Sequence, residues 1–387
     1  MKPLKDIVIY KYLTGRLLLV LFVLSLFSGC ATVQTDKITP PPLLNAGPAV
    51  QVEDIDVLAV SPEMDRFLER YILKYEDSRT RLELLIRSVM INGILGFEYD
   101  EARTMTAAET FKARSGNCVA FSNMIIALAR RAGLEAEFQE VFIRPVWSDH
   151  LDDTVLLIKH VNVIVKSRRF SWVVDVSGVE IDPTDRRRIV DDSYAEALYL
   201  NNIAVGALLE NDLPTAYAYM RSAIDSNSEV VDSWVNLGVI YGRNNQLDDA
   251  ALAFQQALRI EPGDYSALSN LYEVYLEQEK FALATELQPK VERYRRNNPY
   301  YLLRLSDEAL ELEQYQESIR LLQKAITKKE DDHKLHFALA KTQYLSGEMT
   351  AAEKSLLRAR ELAPDAYYER PLAELVADQT GSDTPSL

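Results

Sequence analysis

The sequence predicts an α+β region followed by an all-α solenoid of stacked helix pairs. Two observations carry that expectation. A helical apolar period at Phe121, Met124, Ile125, Leu128 and Ala129 is succeeded by alternating runs at 160–165 and 170–176, the order of a helix packed on a small antiparallel sheet. Farther on, small and apolar residues recur with a period of about 34 positions, which one helix pair per repeat explains. Composition permits this: the chain has 387 residues with 48% hydrophobic content, enough for two or three cores and too much for wholesale disorder. Its 58 acidic and 43 basic residues give a charge of -15, which removes nucleic acid as an expected partner, because phosphate binding needs a basic stripe. Two cysteines exclude a disulfide scaffold.

At the start of the chain Lys2, Lys5, Lys11 and Arg16 precede an apolar run from Leu17 to Phe27. Spanning a bilayer takes about 20 apolar residues, so residues 1–29 read as a secretory signal peptide and not as a membrane helix. Ser28-Gly29-Cys30 resembles the bacterial lipobox, with Phe27 where Leu is usual. That resemblance implies acylation of Cys30, which becomes the first mature residue, and Ala31 after it implies an outer-membrane, periplasm-facing anchor. Residues 30–60, with Pro40-Pro41-Pro42 and Gly47-Pro48, read as an extended tether that holds the folded part off the membrane.

The next region, 61–190, carries the candidate chemistry. Ser61-Pro62 starts a helix, a second amphipathic stretch holds Leu82, Leu85, Ile86 and Val89, and a third begins near Thr106. The turn Ser115-Gly116-Asn117 then places Cys118 at the beginning of a buried helix ending near Gly133, where free amides and the helix dipole favour a thiolate. His160 opens one strand, and Phe170–Val176 returns as the next. A two-residue turn at Ser167-Arg168 makes paired numbers sum to 335 and sets His160 directly opposite Asp175. Carboxylate, imidazole and thiol in that order form an activated nucleophile. His150, in a polar stretch with Asp149, Asp152 and Asp153, is the alternative base. The backbone amide of Cys118 and the hydroxyl of Tyr99 are the candidate oxyanion donors. Arg186-Arg187-Arg188 reads as a solvated surface.

Gly116-Asn117-Cys118, the helix through Leu128-Ala129-Arg130-Arg131-Ala132-Gly133-Leu134, the strand from His160 and Trp172-Val173-Val174-Asp175 resemble the transglutaminase-like, papain-related superfamily over roughly 97–180. The resemblance implies Cys118 as nucleophile, His160 as general base and acid and Asp175 as orienting carboxylate, with Asp182 of Asp182-Pro183-Thr184 a competing match. No cofactor is expected, and 4 histidines leave little room for an elaborate metal site.

Trp234, Leu237, Gly238, Tyr241, Ala250, Phe254, Ala257 and Pro262 match the tetratricopeptide pattern, and stepping by the same period gives five units over 197–366, with a tail at 367–387. Stacked repeats expose a long curved surface, so a protein or peptide ligand on the concave face is expected. Asn202, Asn236 and Asn270 recur at one position on three first helices. In some tetratricopeptide proteins such a ladder grips a peptide backbone, each amide donating and accepting at once. His333 and His336 stand at i, i+3, but no Cys, Asp or Glu completes a metal set. The function expected is an envelope lipoprotein whose cysteine region hydrolyses or transfers acyl groups from amides while its repeats recruit a partner. The alternative is an inactive scaffold with the same anchor and repeats.

Overall fold

A computed structural model describes residues 39–363 apart from 46, 48, 90–93, 143–159, 167–170 and 177–185. The signal peptide, Cys30, His150, Asp182 and the tail at 367–387 lie outside the described residues. The chain forms two compact units, which divide after Glu279.

In the first unit, helix α1 (Pro62–Tyr71) begins at a Ser61 cap that accepts from the Met64 amide and buries Met64, Phe67 and Leu68. Helix α2 (Ser78–Val89) buries Leu82, Leu85 and Val89. Strand β1 (Glu98–Tyr99) leads to α3 (Ala107–Ala113), which opens on a capping box between Thr106 and Glu109. Ser115 and Gly116 form a short strand, β2 (Ser115–Gly116), parallel to β1, where the sequence suggests only a turn. Helix α4 (Cys118–Arg131) follows at once and is buried from Val119 to Ala129. It packs on strands β3 (Glu135–Phe142), β4 (His160–Lys166), β5 (Ser171–Val174) and β6 (Arg186–Val190), an antiparallel sheet in the order β5-β4-β3-β6. Phe138, Val161, Val163, Val165 and Val174 share one core with Phe121, Met124, Ile125 and Leu128.

The β4–β5 register differs from the expected one. Val163 faces Val174 and Lys166 faces Ser171, so paired numbers sum to 337, and the connection is 167–170 instead of a two-residue turn. Continued one step, this register sets Asp175 opposite Asn162 and diagonal to His160. Side chains alternate with a period of two, so this even slip leaves His160 and Asp175 on one face of the sheet. The arginine run forms an edge strand on which Arg186 and Arg188 are exposed, as a solvated surface requires, while Arg188 also pairs with the fully buried Glu140 and donates to the Tyr194 hydroxyl at 2.8 Å.

Helices α5 (Asp192–Leu209), α6 (Leu213–Ser226), α7 (Val231–Arg243), α8 (Leu247–Ile260) and α9 (Tyr265–Glu277) complete the first unit. Tyr194, Leu198 and Tyr199 of α5 join the core beneath the sheet, so the first repeat is continuous with the cysteine-bearing region. The part of the supposed tether that is described does not stand free. Leu43 and Val57 are buried, and Pro40–Leu44 is bonded to α6, α7 and the α7–α8 turn. Three successive prolines have no N–H with which to form a helix or sheet, and the repeat side chains take their carbonyls instead.

The second unit contains α10 (Phe281–Arg295), α11 (Pro299–Glu311), α12 (Tyr315–Ile326), α13 (His333–Leu345) and α14 (Met349–Leu362). Leu302, Leu321, Ala325 and Leu335 form one of its cores and Ile319, Leu322 and Leu339 another. The repeat period is written in the backbone: Asn211, Asn245, Glu279, Glu313 and Gly347, at equal steps along the chain, take positive φ of 56–85° at the turn inside each helix pair.

Candidate active site

Cys118 is fixed by its neighbours on both sides. Asn117 caps α4 by accepting from the Ala120 amide at 3.1 Å, while its Nδ2 donates to Thr104 Oγ1 at 2.6 Å and its amide donates to the Arg103 carbonyl at 2.9 Å. Gly116 has φ of +156°, and a Cβ there would stand 2.8 Å from the Ala120 Cβ, so the close passage of β2 over the helix start requires glycine. As the first residue of α4, Cys118 contributes an amide outside the helical bonding ladder. The residue is half-buried.

His160 opens β4 and is 1% exposed. Its Nε2 donates to Asp175 Oδ2 at 2.5 Å, just past the end of β5, and the side chain also hydrogen-bonds Cys118. With Nε2 on the carboxylate, Nδ1 is the nitrogen left for sulfur. Burial alone lowers the imidazole pKa, but the bonds to Asp175 and Cys118 outweigh it and raise it from 6.5 to about 9. The three residues that the sequence singles out are thus brought together. Asn162 joins them, donating from Nδ2 to the same Asp175 Oδ2 at 3.1 Å. Sequence reasoning gives Asn162 no role, although its place two residues after His160 on one strand face is the signal that locates it.

Tyr99 lies beside the site, with Gly116 as its neighbour across the β1–β2 pair. Burial and the negative charges of Cys118, Glu101 and Asp175 push its phenol up, so it remains an O–H donor at any ordinary pH. The three recurrent asparagines are half-buried, and two already donate within the chain, Asn236 to Asn201 Oδ1 at 3.0 Å and Asn270 to the Ser266 carbonyl at 2.8 Å. His336 is bonded through Nε2 to the Glu330 carbonyl at 2.9 Å.

Residues 80–176 match the transglutaminase-like superfamily, and residues 231–264 and 309–375 match tetratricopeptide repeats. No curated protein matches the chain. Among solved structures it is similar to MamA 41-end from Desulfovibrio magneticus RS-1, at 18% identity and a TM-score of 0.28, over 44% of this chain and 96% of that one. It is also similar to YrrB, described as a tetratricopeptide protein with an unusual peptide-binding site, at 16% identity and a TM-score of 0.27, over 46% of this chain and 92% of that one. The chain therefore has a transglutaminase-like core domain followed by tetratricopeptide repeats.

Proposed function

We propose that the transglutaminase-like domain is a cysteine acyl-transfer enzyme acting on amide carbonyls, carried by an outer-membrane lipoprotein anchored through Cys30. The observation that carries the reading is His160 held between a carboxylate and a thiol that sits at the start of a buried helix. The imidazole holds its proton up to about pH 9, and the charged ring beside Cys118 activates the sulfur as nucleophile. Sulfur attacks the carbonyl carbon, and the carbonyl electron pair moves to oxygen. That oxyanion faces the Cys118 amide and the Tyr99 hydroxyl. On collapse the C–N bond breaks, and the amine leaves with the proton from His160. Water or a second amine then attacks the thioester, His160 takes its proton, and the thiolate departs. Asp175 holds the ring and balances its charge throughout, as Asn162 holds Asp175. The repeats recruit a protein or peptide partner.

The test is single-turnover acylation of the full chain by p-nitrophenyl acetate, with peptide mapping of the acetylated residue. One acetyl group on Cys118, formed about a hundredfold or more slowly in His160→Ala, is expected from loss of general acid–base assistance. Equal acetylation of Cys118 in both proteins, or none in either, leaves the inactive scaffold as the better reading.

A further inference from the structure

The contacts of residues 40–44 have the chemistry of a recognition site. Tyr217 and Tyr241 both donate their hydroxyls to the Pro41 carbonyl, the first at 2.7 Å, and Arg221 Nη1 donates to the Pro40 carbonyl at 3.4 Å. Gln246 works in both directions: Nε2 donates to the Pro42 carbonyl at 3.3 Å, and Oε1 accepts from the Leu44 amide at 2.8 Å. Asn244 Nδ2 donates to the Leu44 carbonyl at 2.8 Å. Four carbonyls and one amide within five residues are therefore satisfied by side chains of the repeats.

The side chains of the segment follow the same logic. Pro40 and Leu43 are buried, whereas Pro42 and Leu44 are exposed. A spacing of three is the period of a polyproline II helix, whose backbone makes no internal hydrogen bonds and leaves every carbonyl to a partner. The receiving surface supplies what such a helix takes: a tilted pair of tyrosine rings 6.1 Å apart between centroids, with hydroxyls aimed at the backbone, and amides beside them. Burial first, then the neighbouring Tyr217, pushes the Tyr241 phenol up, so its hydroxyl is a permanent donor.

We propose that Tyr217, Arg221, Tyr241, Asn244 and Gln246 form a binding site for a polyproline II peptide, filled in this chain by its own residues 40–44. The site excludes other proline-rich peptides for as long as the segment stays in place. It is independent of the thiol chemistry and uses none of the three recurrent asparagines.

The probe is a fluorescent synthetic peptide of residues 37–46, titrated into the full chain. In a variant that releases the segment, Pro40→Gly/Pro41→Gly/Leu43→Asp, the peptide should bind saturably. In the wild type it should bind about tenfold or more weakly, because a tethered competitor acts at millimolar effective concentration. Adding Tyr217→Phe and Tyr241→Phe to the released variant should weaken binding at least about tenfold, the loss of two neutral hydrogen bonds. Asn202→Ala/Asn236→Ala/Asn270→Ala should leave it unchanged, which separates this site from a ladder. Absence of binding to the released variant, or equal binding with and without the hydroxyls, overturns the proposal. Should the released variant fail to fold, hydrogen exchange of the wild type decides. The Leu44 amide should be protected and lose at least about tenfold of that protection in Gln246→Ala; an unprotected Leu44 in the wild type is the contrary result.

Discussion

Asp175 does two things through one oxygen atom: Oδ2 pairs with His160 and accepts from Asn162. The His160–Asp175 pairing is legible in the sequence because strand alternation survives any even slip in register. Asn162 is not, since an asparagine in an alternating run also fits a solvated face. The raised His160 pKa makes a prediction with a definite sign. A base whose folded pKa of about 9 exceeds its unfolded 6.5 binds its proton more tightly in the folded state. The stabilisation is complete below pH 6.5 and is lost as pH rises through 9, on the order of 2–3 kcal/mol across that window. Urea titrations at pH 6 and pH 9.5 should show that loss, and His160→Gln should flatten it. An equal slope in the variant would place the pH dependence elsewhere.

Helix pairs were readable because their small and large residues interlock at fixed steps, and Gly238 shows how closely. A Cβ there would come within 2.5 Å of the Phe254 ring, so Gly238→Ala should destabilise the first unit by about 1–3 kcal/mol in denaturant titration despite alanine's better helix propensity. The intra-pair turn makes the opposite prediction. Glu313 is an exposed residue at φ of 57°, a conformation that carries a steric cost for any side chain. Glu313→Gly should raise the stability of the second unit by up to about 1 kcal/mol, the gain being trimmed by the greater freedom of glycine in the unfolded chain. Strands β3 and β6 were illegible for a physical reason. Glu135, Glu137 and Glu140 leave one of them no sustained apolar alternation, and the three arginines of the other read as a solvated surface. In the fold Glu140 is fully buried, and Arg188 and the Tyr194 hydroxyl, which donates to it at 2.6 Å, satisfy it. Such pairing is set by tertiary structure, and no local pattern announces it.

Across the whole molecule, the order of a transglutaminase-like domain followed by tetratricopeptide repeats was readable, while the return of residues 40–44 onto α6 and α7 was not. A proline run predicts an extended backbone but not what that backbone lies against. Membrane attachment has a simple test. Cys30→Ser should abolish metabolic labelling by fatty acid, whereas continued labelling would require another site of attachment. The central claim, that His160 and the start of α4 together activate the Cys118 sulfur, is tested most directly by alkylation. Iodoacetamide should modify Cys118 in the full chain at about pH 6 faster than it modifies a model thiol, which with a pKa of about 8.5 is almost wholly protonated there. His160→Ala should remove that advantage while the fold, followed by circular dichroism, is retained. Equal rates for wild type and His160→Ala, with both proteins folded, would contradict that activation and with it the catalytic reading of the site.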